Sequence, residues 1–500
     1  MKRSSCVCMF CFLWVAIGVG QNILRTYRPT MLRQPPDTIG VGQNIPEKVA
    51  VGDSIEKIQH NTSVDLVGRF PINVGEKYMP ILYLADTLVN LVLDDWFPLG
   101  DPQTNAFDFG RIQTIPTYNH MEGFRLRGGV ASTTRFHPHF FLKGYMAYGF
   151  KDEKLKCRGE ATLSFNNPLY HEDEFPKNNL SVIYENEVYP FAELHPRSTN
   201  DAVLYAYKHS ENAMAYRNFL EFRYEKETLW GFAAQAWVRA STVKPGEGFS
   251  FTSIETDNEQ VAHKETDNEQ VAHKNVKTGE VGISFRYTPG ATYFQYRRKR
   301  ELLTYGKPIF TVSYTKGLNG FLGGKTAYDR VEVSIQERFA IGDYGRFNTS
   351  VDVQRVWGLL PFPLLLYPNQ QSKNPIENSA FYCTPSIEFV GDKQYALRTT
   401  FKGNRWLLYR VPVFRKWGTK ELITLRAVYG TLKNKNMPTS ENGLFVFPEA
   451  TTVMTKTPYI EASIGAIDVM GFFRVEYVHR FTYRNNPHAI RGSLRFDVSL

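Results

Sequence analysis

The chain has 500 residues, a formal net charge of +9, 42 % hydrophobic residues and 14 % aromatic residues. Its mean hydropathy of −0.34 is ordinary for a soluble protein, whereas the aromatic content is high and suits half-buried strands with Tyr and Trp at interfaces. Arg and Lys are spread through strand-like segments and not clustered, which argues against a nucleic-acid surface.

Residues 1–20 read as a cleavable export signal. Lys2 and Arg3 precede the apolar run CVCMFCFLWVAIGVG, and Gly18 and Gly20 set small residues before a cut at Gln21. A lipoprotein signal would end on its cysteine, but Cys6, Cys8 and Cys11 lie within the run or at its start. Cleavage leaves Cys157 and Cys383, and their separation does not decide whether they pair.

Residues 21–75 form a polar linker broken by Pro35, Pro36 and Pro46. It holds the second copy of IGVGQNI, whose first copy straddles the cut. Residues 76–104 follow as an amphipathic helical segment, too interrupted by Asp86, Asp94 and Asp95 to span a bilayer.

From about Asn105 to Leu500 the period becomes two. In GFFRVEYVHRFTY one face carries Phe473, Val475, Tyr477 and His479, and the other Arg474, Glu476, Val478 and Arg480. In RNFLEFRYE, Leu220, Phe222 and Tyr224 alternate with Phe219, Glu221 and Arg223. RVEVSIQERF sets Val331, Val333 and Ile335 against Glu332, Ser334 and Gln336. A soluble sandwich also alternates, but its strands are nearer five or six residues than the ten to fourteen suggested here. The spacing therefore predicts an all-β fold: an antiparallel outer-membrane β-barrel of about 16 strands around a polar lumen. The final strand carries Leu494, Phe496, Val498 and Leu500 on one face, a C-terminal signal for barrel assembly machinery in which Leu500 replaces the usual aromatic.

Short connections at 151–154, 341–345 and 390–393 and long ones at 189–212, 243–279, 357–378 and 434–456 suit short periplasmic turns and longer external loops. The decapeptide ETDNEQVAHK, repeated unchanged at 255–274, falls in the longest connection, where added residues cost little closure entropy. His263 and His273 could hold a cation there, but a solvated tip is the better reading. VWGLLPFPLLLYP at 356–368 is too rich in proline for a regular element. It could dip into the membrane interface, cap the barrel or touch a partner.

No hydrolase, metalloprotease, nucleotide or calcium-loop signature is present, so the pattern assigns no catalytic residue, cofactor or metal. His137 and His139 share a face, but an isolated pair across Pro138 more often hydrogen-bonds locally. The densest polar group is Glu122, Arg125 and Arg127 in YNHMEGFRLRGG. Two lumen arginines beside a carboxylate could bind an anionic group, yet a structural charge ladder is the simpler reading.

The stretch Tyr118–Asp152, with YNHMEGFRLRGG followed by GYMAYGFKD, resembles an uncharacterised outer-membrane family of Bacteroidetes-type bacteria, the carboxypeptidase-regulatory-like proteins. YHEDEFP (170–176) and YRVPVFRKWGTKEL (409–422) add to the likeness. The resemblance implies a C-terminal barrel with no assigned enzymatic activity. It also implies an N-terminal regulatory domain, which the linker replaces here. The expected role is transport, or export and assembly, among outer-membrane lipids, assembly machinery and other envelope proteins. A barrel-embedded hydrolase and an adhesive surface protein are the alternatives.

Overall fold

A strand with one apolar and one charged side must turn one of them toward its neighbours' interior. In the computed structural model the charged side is inside. The structure describes residues 95–498, apart from 102–103, 192–213, 247–249, 254–274, 303–305, 371–379 and the single positions 297, 386, 406, 440 and 472. The signal, the linker, Leu500 and both copies of the decapeptide lie outside the described residues.

The strands are β1 (Trp96–Pro98), β2 (Phe107–Gly110), β3 (Pro116–Asn119), β4 (Gly123–Ser132), β5 (Phe140–Gly149), β6 (Leu155–Ser164), β7 (Asn178–Pro190) and β8 (Met214–Glu227). There follow β9 (Phe232–Pro245), β10 (Val276–Tyr287), the small hairpin β11 (Tyr293–Tyr296) and β12 (Lys299–Leu302), β13 (Ile309–Gly317), β14 (Tyr328–Ile341) and β15 (Gly345–Trp357). The last are β16 (Phe389–Val390), β17 (Lys393–Gly403), β18 (Lys420–Thr431), β19 (Thr452–Val453), β20 (Tyr459–Val469), β21 (Phe473–Arg480) and β22 (Gly492–Val498).

Eighteen of these form one sheet, paired antiparallel to their neighbours. β2 and β3 share one lane beside β4, and β1 adds a short lane on the outer side of β2, so the eighteen strands fill seventeen lanes. The alternation predicts about 16 strands, two fewer than the sheet contains. Among the described residues no ladder joins β22 to β1, β2 or β3, so the wall is open along one seam. The sheet is nevertheless strongly curled. Arg298, between β11 and β12 in the middle of the lane order, reaches Asp108 on β2 near one edge of the sheet.

The wall is inside-out relative to a soluble protein. Leu220, Phe222 and Tyr224 on β8 are 42 %, 51 % and 39 % exposed, while Glu221 between them is fully buried. On β21, Arg474, Glu476 and Arg480 are buried, and Phe473 and Tyr477 face out. Strand lengths of up to 14 residues at β8, β9 and β14 meet the expectation for membrane-crossing strands.

Of the expected helical segment at 76–104 only the end is described, and it is not helical. Trp96–Pro98 is a strand that pairs with β2, because the apolar Trp96 and Phe97 can be completed by the sheet edge. Residues 76–94 lie outside the described residues.

The connections sort into two ends. The long ones, 191–213, 246–275, 358–392 and 432–458, share what we call the loop end. The turn end holds 228–231, 342–344 and 470–472, together with the end of β22. The tight turn at 228–231 depends on Gly231 (φ 92°), where a Cβ would collide with the Thr288 carbonyl oxygen. Two expected short turns are placed differently. The 151–154 turn lies at the loop end, and 390–393 is no hairpin but the place where the 358–392 connection enters β17.

Candidate functional site

Alternation along β4 sends Arg125 and Arg127 to the inner face, and ladder register decides what meets them. Glu122 is fully buried at the start of β4, where its amide donates to Asn119 Oδ1 (2.7 Å) and its carboxylate accepts from Asn119 Nδ2. Arg125 forks onto Glu187 of β7 (2.9 and 2.6 Å) and touches Glu122 at 3.2 Å. Tyr145 donates to the same Glu187 carboxylate (2.8 Å), and its ring carries the Arg127 guanidinium 3.6 Å from the centroid. Lys156, almost fully buried, bridges Glu122 (2.8 Å) and Asp152 (2.6 Å), and Asp152 also accepts from Tyr216 (2.9 Å).

Glu122, Arg125 and Arg127 are thus together on the lumen wall, but each is already engaged. The network ties five lanes, β4 to β8, to one another, which is the structural charge ladder. Sequence reading missed Glu187, Lys156, Asp152 and Tyr145 because their proximity depends on the register of four strands. The one available signal was their shared parity on polar faces. Replacing Glu187 by Ala would leave Arg125 buried with a single remaining carboxylate, at a cost of about 3–5 kcal/mol. Denaturant titration of the folded, unboiled gel band should show that loss, with Glu187→Gln milder.

The lumen is occupied from the loop end. VWGLLPFPLLLYP caps the barrel: Leu360, Phe362, Leu364, Leu365 and Leu366 are buried with Val390 of the same connection and with Phe191, Phe251 and Phe445 from three others. Arg330 on β14 donates to the Leu364 carbonyl (2.8 Å), fixing the cap to the wall. The other described arm of the same connection goes deeper. There the Tyr382 and Cys383 amides donate to Glu461 of β20 (2.8 and 2.9 Å). The Tyr382 ring lies under Arg426 of β18 (3.8 Å) and near Arg495 of β22 (4.6 Å). Arg480 of β21 grips Glu388 with two N–H groups, one at 2.9 Å, and also donates to the Cys383 carbonyl (3.1 Å). The inward arginines of β18, β21 and β22 therefore hold a plug.

At the turn end the 288–308 connection folds back across the barrel. Arg298 pairs with Asp108 and with the Ser132 carbonyl, and lies 3.6 Å from Glu172. The 165–177 loop completes the contact: Tyr170 donates to Asp108 (2.8 Å), and Glu174 accepts the backbone amides of Leu169 and Tyr170 (both 2.6 Å). Burial drives the His171 imidazole down to about 3, with Asp173 opposing and Arg298 reinforcing, so His171 stands neutral beside Gln295 (2.7 Å). Closure here is partial. Gln336 and Arg338 on the inner side of β14 remain exposed.

The remaining sequence candidates are quickly placed. His137 Nδ1 accepts the amides of His139 (3.2 Å) and Phe140 (2.9 Å), and His139 Nδ1 sits 3.1 Å from the Asn166 carbonyl, a local capping role. Among the described residues no group of three His, Cys, Asp or Glu could hold a metal ion. Cys157 lies in the wall and Cys383 in the plug, both as free thiols. Leu494 and Phe496 point outward from β22, 51 % and 66 % exposed.

The C-terminal domain of a family of unknown function (DUF5686) matches residues 101–357. The chain belongs to this family. The matched span includes the Glu122–Arg125–Glu187 network and the Arg298 closure, while the Tyr382 plug lies beyond it. No curated protein matches the chain. Among solved structures, BamA from Haemophilus ducreyi lacking POTRA domains 1–3 is 10 % identical, over 82 % of this chain and 77 % of that one, with a TM-score of 0.44. CdiB from Acinetobacter baumannii is 9 % identical over 77 % and 58 %, with a TM-score of 0.38. Pseudomonas aeruginosa OccK10 (OpdN) is 8 % identical over 78 % and 94 %, with a TM-score of 0.27.

Proposed function

We propose that the chain is an integral outer-membrane barrel that works in export or assembly at that membrane and is not a standing pore. The observation that carries the reading is a wall whose lumen takes in its own connections while, among the described residues, two edge strands are left unpaired. The apolar outer face supports the membrane setting, and so do aromatic rows near both rims. At the turn end Trp230, Phe232 and Phe285 stack outward in series (5.2 and 5.8 Å), and at the loop end Phe124, Tyr148 and Phe150 cluster (5.8 and 5.4 Å). Such girdles sit where a bilayer meets water.

A plugged lumen handles little free solute. An unpaired strand edge, in contrast, exposes backbone N–H and C=O groups that pair with an added strand. β22 and the β1–β3 lanes are such edges on either side of the seam, and extended segments of envelope proteins are the partners they fit. On this proposal the carboxypeptidase-regulatory-like proteins of Bacteroidetes-type bacteria and the family of unknown function share this barrel. The reading also takes residues 1–20 as the export signal and assigns the chain no catalytic chemistry.

Depletion in cells, followed by membrane fractionation, separates this role from transport. The chain itself should run as a heat-modifiable band of the outer membrane, and its loss should lower the folded forms of other outer-membrane proteins. If solute uptake fell while those proteins stayed folded, the transport reading would replace this one.

A further inference from the structure

We propose that the connection 404–419 is an interfacial anchor that lies on the anionic phospholipid surface at the turn end of the barrel. The inference rests on the membrane reading of the wall. Between Asn404 and Lys420 the chain carries five cations, Arg405, Arg410, Arg415, Lys416 and Lys420, and no acid. The first four are exposed, and among the described residues no carboxylate pairs with them. Interleaved with them are Leu407, Tyr409, Val411 and Val413, between 42 % and 53 % exposed.

This apolar surface is built, not loose. The Leu407 and Leu408 amides donate to Glu421 Oε1, the second at 2.6 Å. A helical turn, Pro412–Trp417, starts on its proline and stops at Gly418 (φ 69°), and the Thr419 amide closes it onto the Phe414 carbonyl (3.1 Å). Phe414 and Trp417 pack edge-on at 6.2 Å. The four exposed apolar side chains therefore have no packed alternative in the described fold.

The patch continues the outer face of the wall. Phe339, Phe347 and Phe401 form an aromatic row across β14, β15 and β17 (5.4 and 4.9 Å), and the chain leaves β17 two residues after Phe401. It re-enters at β18, whose Ile423 and Leu425 face outward. A segment with apolar groups on one level and unpaired cations beside them, next to the hydrocarbon belt, lies in the headgroup plane. Its charge selects anionic lipid over neutral lipid.

The test places a nitroxide at Val413→Cys in the full chain with Cys157 and Cys383 replaced by Ser, and a control nitroxide at Ile464→Cys, on the outward face of β20. Each is reconstituted in phosphatidylcholine vesicles and in an equal mixture with phosphatidylglycerol, with folding checked by the heat-dependent gel shift. Collisions of the position-413 label with a water-soluble nickel chelate should fall severalfold in the anionic vesicles. The combined change Arg410→Glu, Arg415→Glu and Lys416→Glu should abolish that lipid dependence while keeping the gel shift. If the 413 label stays water-exposed in both vesicles while the 464 label is protected, the anchor is overturned and the barrel stands. Exposure of both labels overturns the membrane wall itself. Equal protection in both lipids, unchanged by the triple substitution, overturns the anionic selectivity.

Discussion

In planar bilayers the wild-type chain should give no stable open-channel current, and Glu388→Ala should give one. Arg480 is fully buried on the inner face of β21, and Glu388 is the carboxylate that the plug offers it. Removing that carboxylate leaves a charged guanidinium in a dry site, a loss of about 3–5 kcal/mol. The cheapest relief is to withdraw the 380–390 arm and let water reach Arg480. Withdrawal also uncovers Arg426, Arg474 and Arg495, all of which face Tyr382 in the closed state. Four lumen arginines set against fewer carboxylates would make the resulting current favour anions, so the reversal potential in a salt gradient gives its sign. A large steady current from the unaltered chain would show that the plug does not occlude. A silent but folded Glu388→Ala variant would place the holding force in the apolar cap of Leu360–Leu366 instead.

Leu425→Arg should destabilise the vesicle-inserted protein by about 2–4 kcal/mol, the penalty for a cation on the lipid face near mid-bilayer. Leu425 stands in the middle of β18 and is 44 % exposed, with Thr424 and Arg426 on either side turned inward and buried. On a water-facing surface the same change would fall within about 0.5 kcal/mol. Denaturant titration in vesicles, read as the fraction of unboiled protein that keeps its folded mobility, distinguishes the two magnitudes. A value near zero would mean that the outer face meets water, and the localisation would have to be abandoned. The result bears directly on the anchor at 404–419 as well, because that patch continues the same surface.

Alternation in segments such as Leu220–Tyr224 and Phe473–Arg480 was enough to read an all-β chain of about sixteen strands with one charged side. A period of two leaves a residue no choice but to share a face with its second neighbours. Arg125 and Arg127 could be assigned to one face for the same reason. These are properties of local geometry, and local geometry is written in adjacent residues.

Everything that joins distant positions had to come from the tertiary structure. Glu187 meets Arg125 only because β4, β5, β6 and β7 hold one register, and a slip of one residue would turn either side chain to the lipid face. VWGLLPFPLLLYP could have capped the barrel, entered the membrane or met a partner, since an apolar run without a period carries no direction. It became a cap because Phe191, Phe251 and Phe445 arrive from three other connections at the same end. The plug was legible only as inward parity at Arg474, Glu476 and Arg480, with no sign of the loop that would complete them. The short strand at Trp96–Pro98, at the end of a stretch with helical spacing, formed for a related reason: an open sheet edge offers its backbone groups partners that a local period cannot foresee.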